Sequence, residues 1–180
     1  MFEAVILECA VPNVPDTVVE RIIAVESAGE PLAININGEP VTLPFEELTL
    51  EGQVVRVMAE VDAGNSVDIG LMQINTRNIE TDADSIARMF DPCMNISKGS
   101  EIFMRAYEPA RAFYGETELA FQSALSAYNT GTFHRGFNNG YVQRYETTKP
   151  QSRSKDTVPD PNNAATQLKI DFGGGVLSTD

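Results

Sequence analysis

The stretch VDIGLMQIN, residues 67–75, restricts the fold more than any other part of the sequence. Leu71, Met72 and Ile74 demand burial, yet Gly70 breaks the run and Asp68, Gln73 and Asn75 set polar groups inside it. A buried polar group costs free energy unless it is hydrogen-bonded, and an unpaired buried carboxylate costs far more. The segment therefore starts as a buried strand but cannot continue as one. It has to form a boundary between core and something polar.

The flanking periodicities are mostly helical. Residues 17–28 place Val18, Val19, Ile22 and Ile23 on one stripe; Thr17 and Glu20 have capping-box spacing, and Gly29 with Pro31 ends the helix. Glu26 and Ser27 then fall in its last turn. LAININGEPVTL reads as a hairpin turning at Asn37-Gly38. Further helices are expected over 49–62, over DADSIARMF and over 97–115, where Pro109 should kink or divide the helix. Another is expected in TELAFQSALSAYNTG, with Leu119, Phe121, Ala124, Leu125 and Tyr128 on one face, and a short one at NGYVQRYE. From Thr147 the chain turns rich in Pro, Ser, Asn and Gly, as a disordered tail would, with QLKIDF as a docking segment. The expected organisation is a mainly helical α+β domain over 1–146, a small β element after its first helix, and a flexible tail over 147–180.

Charge and composition remove several function classes. Residues 1–90 hold sixteen Asp/Glu against four Lys/Arg, within a net charge of -13. So acidic a half argues against nucleic acid, whose binding requires neutralised phosphates, and against anionic lipid. No window reaches the roughly 18–20 apolar residues of a membrane span. One histidine and two distant cysteines make a zinc site untenable. His134 lies in a loop rich in Gly and Asn with no nucleophile motif beside it, so a structural or surface role is expected. Neither a P-loop nor a dinucleotide fingerprint precedes a helix, and no cofactor is expected. Cys9 and Cys93 are either two buried thiols or one long-range disulfide, depending on compartment.

Carboxylate chemistry remains, and it suits glycosidic bonds, where a carboxylic acid of raised pKa protonates the leaving oxygen. Glu26 is the acid candidate, because it sits in the apolar helix end IIAVESAG, where desolvation would lift its pKa toward ~6. AVESAGEPLAININ, VDIGLMQIN and ALSAYNTG follow one another in an order that resembles the lysozyme-like lytic transglycosylases. AININ, the DPC at 91–93 and YNTGTFHRGFNNGYV extend the resemblance over residues 9–146, toward the specialised transglycosylases of type IV secretion and conjugation systems.

The resemblance implies a lysozyme-like fold of the goose-type lysozyme and soluble lytic transglycosylase kind. It implies peptidoglycan glycan strands as substrate, with Glu26 as general acid and then base and Ser27 orienting the cleft. Met72 and Gln73 would contact the glycan near the scissile bond, Gly70 would let backbone approach it, and Tyr128 and Asn129 would position the cleaved sugar. It implies periplasmic export, and hence a Cys9–Cys93 disulfide. MFEAVILECA lacks the basic start and long apolar run of a signal peptide, so export is expected to rely on a segment trimmed from this sequence. VDIGLMQINTRN also resembles the lysozyme segment carrying a second carboxylate, here Asp68. Three readings stand: transglycosylation giving a 1,6-anhydromuramoyl product, lysozyme-like hydrolysis with Glu26 and Asp68, and an inactive glycan-binding assembly protein. Secretion-system components are expected partners, through the acidic surface or the tail.

Overall fold

The structure, a computed structural model, describes residues 2–41 and 49–149. The expected tail beyond Lys149, QLKIDF included, and residues 42–48, which include the last two of the expected hairpin stretch, lie outside the described residues.

The chain opens with a helix that the sequence reading passes over, α1 (Glu3–Cys9), which buries Ile6. The next helix, α2 (Asp16–Glu26), buries the anticipated Val18, Val19, Ile22 and Ile23, each worth roughly 1.5–3 kcal/mol on full burial. The capping box does not form: Pro15 is the N-cap, and Thr17 and Glu20 lie within the helix. The Pro15 carbonyl already accepts the Val18 and Val19 N–H groups, at 2.9 and 3.4 Å. Ser27 is the C-cap, and Ala28 (φ 52°) and Gly29 (φ 80°) turn the chain out of the helix.

Strands β1 (Ile34–Ile36) and β2 (Glu39–Pro40) form the expected hairpin, with Asn37 and Gly38 both at positive φ. Two positive φ values are what a two-residue turn matched to strand twist requires. After α3 (Leu50–Asp62), capped by Thr49, the 67–75 stretch divides into β3 (Val67–Ile69) and β4 (Ile74–Asn75) around a tight turn. All four strands join one antiparallel sheet in the order β2-β1-β3-β4.

A 3-10 turn (Thr76–Asn78) and α4 (Ala83–Met89), capped by Asp82, lead to α5 (Pro92–Tyr114). This helix begins earlier than expected because Asp91 caps it and Pro92 stands in its first turn, where a missing N–H is tolerated. Pro109 does not divide it. That residue is exposed, so solvent can reach the carbonyl its ring leaves without a donor. Helix α6 (Glu118–Thr130) packs along α5, followed by α7 (Arg135–Asn138) and α8 (Tyr141–Thr147). Phe121, Ala124 and Leu125 are buried, whereas Leu119 is 47% exposed and does not share their face. Two residues rotate about 200° around a helix, which carries Leu119 away from Phe121. No helix among the described residues is long and apolar enough to cross a membrane.

Cys9 and Cys93 form a disulfide across 84 residues, joining the end of α1 to the first turn of α5. A loop of that length removes unfolded-state entropy equivalent to about 4 kcal/mol. Deeper in the same helix, Asn95 is 1% exposed. Its Oδ1 accepts the Met72 N–H at 2.7 Å, and its Nδ2 donates to the Ile69 and Met89 carbonyls at 2.9 and 2.7 Å. Gly70 (φ 75°) lies against it: a Cβ there would strike the Asn95 amide and come within 2.6 Å of the Met89 carbonyl oxygen. The absent side chain thus serves close packing against α5 and not an approach of backbone to glycan.

Asn95→Ala removes three hydrogen bonds to buried backbone groups. It should cost about 3 kcal/mol, read as a lower urea midpoint at unchanged slope; a loss below roughly 1 kcal/mol would contradict this account of the turn.

Candidate active site

Three elements meet at the end of α2. Ser27 Oγ donates to the Leu71 carbonyl at 2.8 Å, with the Ile23 carbonyl at 3.2 Å, and accepts the Gly29 N–H at 3.2 Å. The helix end that carries Glu26 is thereby fixed to the turn between β3 and β4. From α6, Tyr128 Oη donates to the Met72 carbonyl at 2.7 Å. From α8, Tyr141 Oη donates to Glu26 Oε1 at 2.6 Å, and Tyr141 itself is fully buried.

Alternation along β3 sets the second carboxylate. Val67 and Ile69 are fully buried on one face, so Asp68 projects from the other and stays only half-buried. Asn75, its cross-strand neighbour, donates from Nδ2 to Asp68 Oδ1 at 2.7 Å. Glu26, Asp68, Gln73, Asn75, Tyr128 and Asn129 line one cleft of about 430 Å³. Asn129 Oδ1 accepts from Asn139 Nδ2 at 2.9 Å at the exposed rim.

The two carboxylates titrate differently. Although Glu26 as a residue keeps some exposure, its carboxyl group is enclosed by protein, and desolvation raises its pKa to about 7. The Tyr141 hydrogen bond opposes that shift, the nearby Asp68 charge adds to it, and Arg144 opposes it. Asp68 is also raised by burial, against the Asn75 hydrogen bond and the Arg77 charge, both of which favour its anion. Near neutral pH the cleft thus holds a carboxyl group able to give and take a proton, with a second carboxylate beside it.

Gln73 shows a further sign of a built site. It adopts φ 50°, a left-handed conformation that is costly for a residue with a side chain. Its Nε2 donates to the Gly70 carbonyl at 2.8 Å and the Ala33 carbonyl at 3.3 Å, whereas its buried Oε1 has no hydrogen-bond partner. That oxygen is an acceptor at the cleft wall, suited to a hydroxyl or amide N–H.

Of the expected site residues, Glu26, Asp68, Gln73, Tyr128 and Asn129 line the cleft, and Ser27 stands behind it at the helix end. Met72 is the exception. Its side chain is fully buried and packs against Gly99, where an added Cβ would come within 2.7 Å of Met72 Cβ. It cannot contact a ligand in the cleft, and its carbonyl is taken by Tyr128. Tyr141 was missed by sequence reasoning; the only signal was its place at the end of YNTGTFHRGFNNGYV. His134 is exposed at the N-cap of α7 and does not line the cleft. Among the described residues no cluster of three His, Cys, Asp or Glu could hold a metal ion.

Residues 5–151 match the family model described as the transglycosylase SLT domain. The chain is 38% identical over 146 residues to "Protein virB1" of Rhizobium radiobacter, covering 81% of this chain and 59% of that protein. It is 35% identical over 165 residues to "Protein virB1" of Agrobacterium fabrum, covering 88% and 66%. To "Type IV secretion system protein virB1" of Brucella abortus it is 30% identical over 154 residues, covering 79% and 63%. The match spans about three fifths of the length of these relatives. No solved structure gives a significant match.

The Glu26 shift has a consequence for stability. With the carboxyl at about 7 in the folded chain and 4.5 as reference, the folded state binds the extra proton between those values. Stability is then unaffected below about pH 4.5 and falls as pH rises through about 7. Glu26→Gln removes that loss, so its advantage over wild type should grow between pH 5 and pH 8 by about 2 kcal/mol, measured by chemical denaturation. A difference independent of pH would contradict the raised pKa.

Proposed function

The chain belongs to the transglycosylase SLT domain family, and from that premise we propose that it is a peptidoglycan lytic transglycosylase, opening the wall locally for a type IV secretion or conjugation apparatus. The observation that carries the reading is the enclosed Glu26 carboxyl, tied to Tyr141 and raised to about 7.

With Oε1 occupied by the Tyr141 hydroxyl, Oε2 carries the proton. Glu26 gives it to the glycosidic oxygen between N-acetylmuramic acid and N-acetylglucosamine. The C1–O bond breaks, the glucosamine end leaves as an alcohol, and positive charge develops at C1. The Asp68 carboxylate, held by Asn75, stabilises that charge. The Glu26 carboxylate then takes the proton of the muramoyl 6-hydroxyl as its oxygen bonds to C1. A 1,6-anhydro ring forms, Glu26 is protonated again, and no water is consumed. Gln73 Oε1 accepts a hydrogen bond from the sugar, and Tyr128 and Asn129 form the facing wall.

Export to the periplasm fits this substrate and the Cys9–Cys93 disulfide, since such bonds persist in oxidising compartments. The secretion role is supported by the printed name of the Brucella relative. Secretion-system components are the partners this reading implies.

Because the first step needs Glu26 protonated, kcat/KM for wall clearing should fall as pH rises through about 7. Tyr141→Phe removes a hydrogen bond favouring the anion, so it should move that limb to higher pH. Glu26→Gln should lose about 10²–10⁴-fold of activity while retaining its fold and its affinity for glycan strands. Equal clearing by wild type and Glu26→Gln would overturn the enzymatic reading.

A further inference from the structure

Next to the cleft lies a second and larger hollow, about 600 Å³, and its lining reverses the charge of the protein. Arg77, Arg88, Lys98 and Arg105 all face onto it, four of the thirteen Lys and Arg in a chain of net charge -13. Glu80 lines it too. Glu101 takes part of the positive charge, through Lys98 at 3.3 Å and Arg105 at 3.5 Å. Arg77 and Arg88 have no carboxylate within ion-pair distance among the described residues. Exposed ion pairs contribute little to stability, so the fold does not explain this grouping. A concave surface lined by one sign of charge does concentrate the opposite charge from solution.

The hollow adjoins the cleft. Arg77 and Asn78, on the 3-10 turn, line both. Asn78 and Arg105 also line a third depression that shares Tyr128 and Gly131 with the cleft. A polymer bound along Glu26 and Asp68 therefore passes beside a hollow whose lining is basic.

We propose that this hollow is a subsite for the carboxylates of the peptide stem carried by the muramoyl residue. The inference rests on the reading of the cleft as a peptidoglycan site and specifies which strands that site prefers. The sugar backbone has no free charge, because the lactyl carboxyl of each muramic acid is amide-linked to its stem. The glycan alone gives four basic side chains nothing to recognise. The stem carries free carboxylates and, at three residues, reaches at most about 10 Å from the sugar. Arginine suits such partners because its planar fork pairs with a carboxylate through two hydrogen bonds.

The test is a binding titration with the full chain carrying Glu26→Gln, which keeps the ligand intact. One ligand is a tetrasaccharide of alternating N-acetylglucosamine and N-acetylmuramic acid bearing tripeptide stems with free terminal carboxylates. The other is the same tetrasaccharide stripped of its stems, with each lactyl carboxyl capped as a simple amide so that it carries no free charge. The stem-bearing ligand should bind roughly tenfold tighter at about 0.05 M salt and lose most of that advantage at about 0.5 M. Adding Arg88→Gln and Lys98→Gln should abolish the advantage and leave affinity for the stripped ligand unchanged, with the melting temperature as control for folding. Equal binding of both ligands, or an advantage that survives the two substitutions or high salt, overturns the inference but leaves the cleft reading intact. Failure to bind either ligand overturns both.

Discussion

The turn from Gly70 to Gln73 is the constraint on which the rest of the site depends. Four of its backbone groups are held by four other parts of the chain, and the Gly70 carbonyl closes the turn on itself. The Gly70 N–H goes to the Ala33 carbonyl, the Gly70 carbonyl to Gln73, and the Leu71 carbonyl to Ser27 at the end of α2. The Met72 N–H goes to Asn95 of α5 and the Met72 carbonyl to Tyr128 of α6. Buried backbone groups have to be paired, and here the pairing fixes three helices around one turn. The cost of the left-handed Gln73 is sustained because its neighbours leave it no alternative.

This framework gives the cleft its electrostatics. Glu26 is the last residue of a helix whose end Ser27 holds against the turn, and the Tyr141 hydroxyl holds its carboxyl within the protein. Desolvation then makes the proton costly to remove. Asp68 stands on the opposite phase of a strand whose other residues are core; burial raises its pKa too, against Asn75 and Arg77, which favour its charge. In the proposed mechanism these surroundings give the two carboxyl groups of one cleft different tasks. Keeping an acid enclosed near neutral pH costs folding stability at that position.

Much of this was legible in the chain because local chemistry and tertiary structure agree there. The Asn37-Gly38 turn, the α2 stripe, the Thr49 start of α3 and the Gly131 stop of α6 are properties of the residues themselves. The polar letters of 67–75 correctly announced a boundary, but their partners could not be read from sequence. Asn95 lies 23 residues beyond Met72 and Tyr141 lies 115 beyond Glu26, and no periodicity links such positions. Met72 shows the converse failure. A motif letter associated with a cleft was assigned to its surface, whereas packing against Gly99 holds the side chain in the core. Gly70 was misassigned for the same reason, since only the fold reveals that its missing side chain accommodates α5.

In the proposed mechanism transglycosylation and hydrolysis begin with the same proton transfer from Glu26 and differ in which oxygen closes on C1. The most direct measurement is mass spectrometry of the muropeptides released from purified wall by the full chain. The account predicts products ending in 1,6-anhydromuramic acid, lighter by one water than the corresponding reducing-end species. Reducing-end products as the dominant species would contradict it, and would make Asp68 the partner of an attacking water or a nucleophile in its own right.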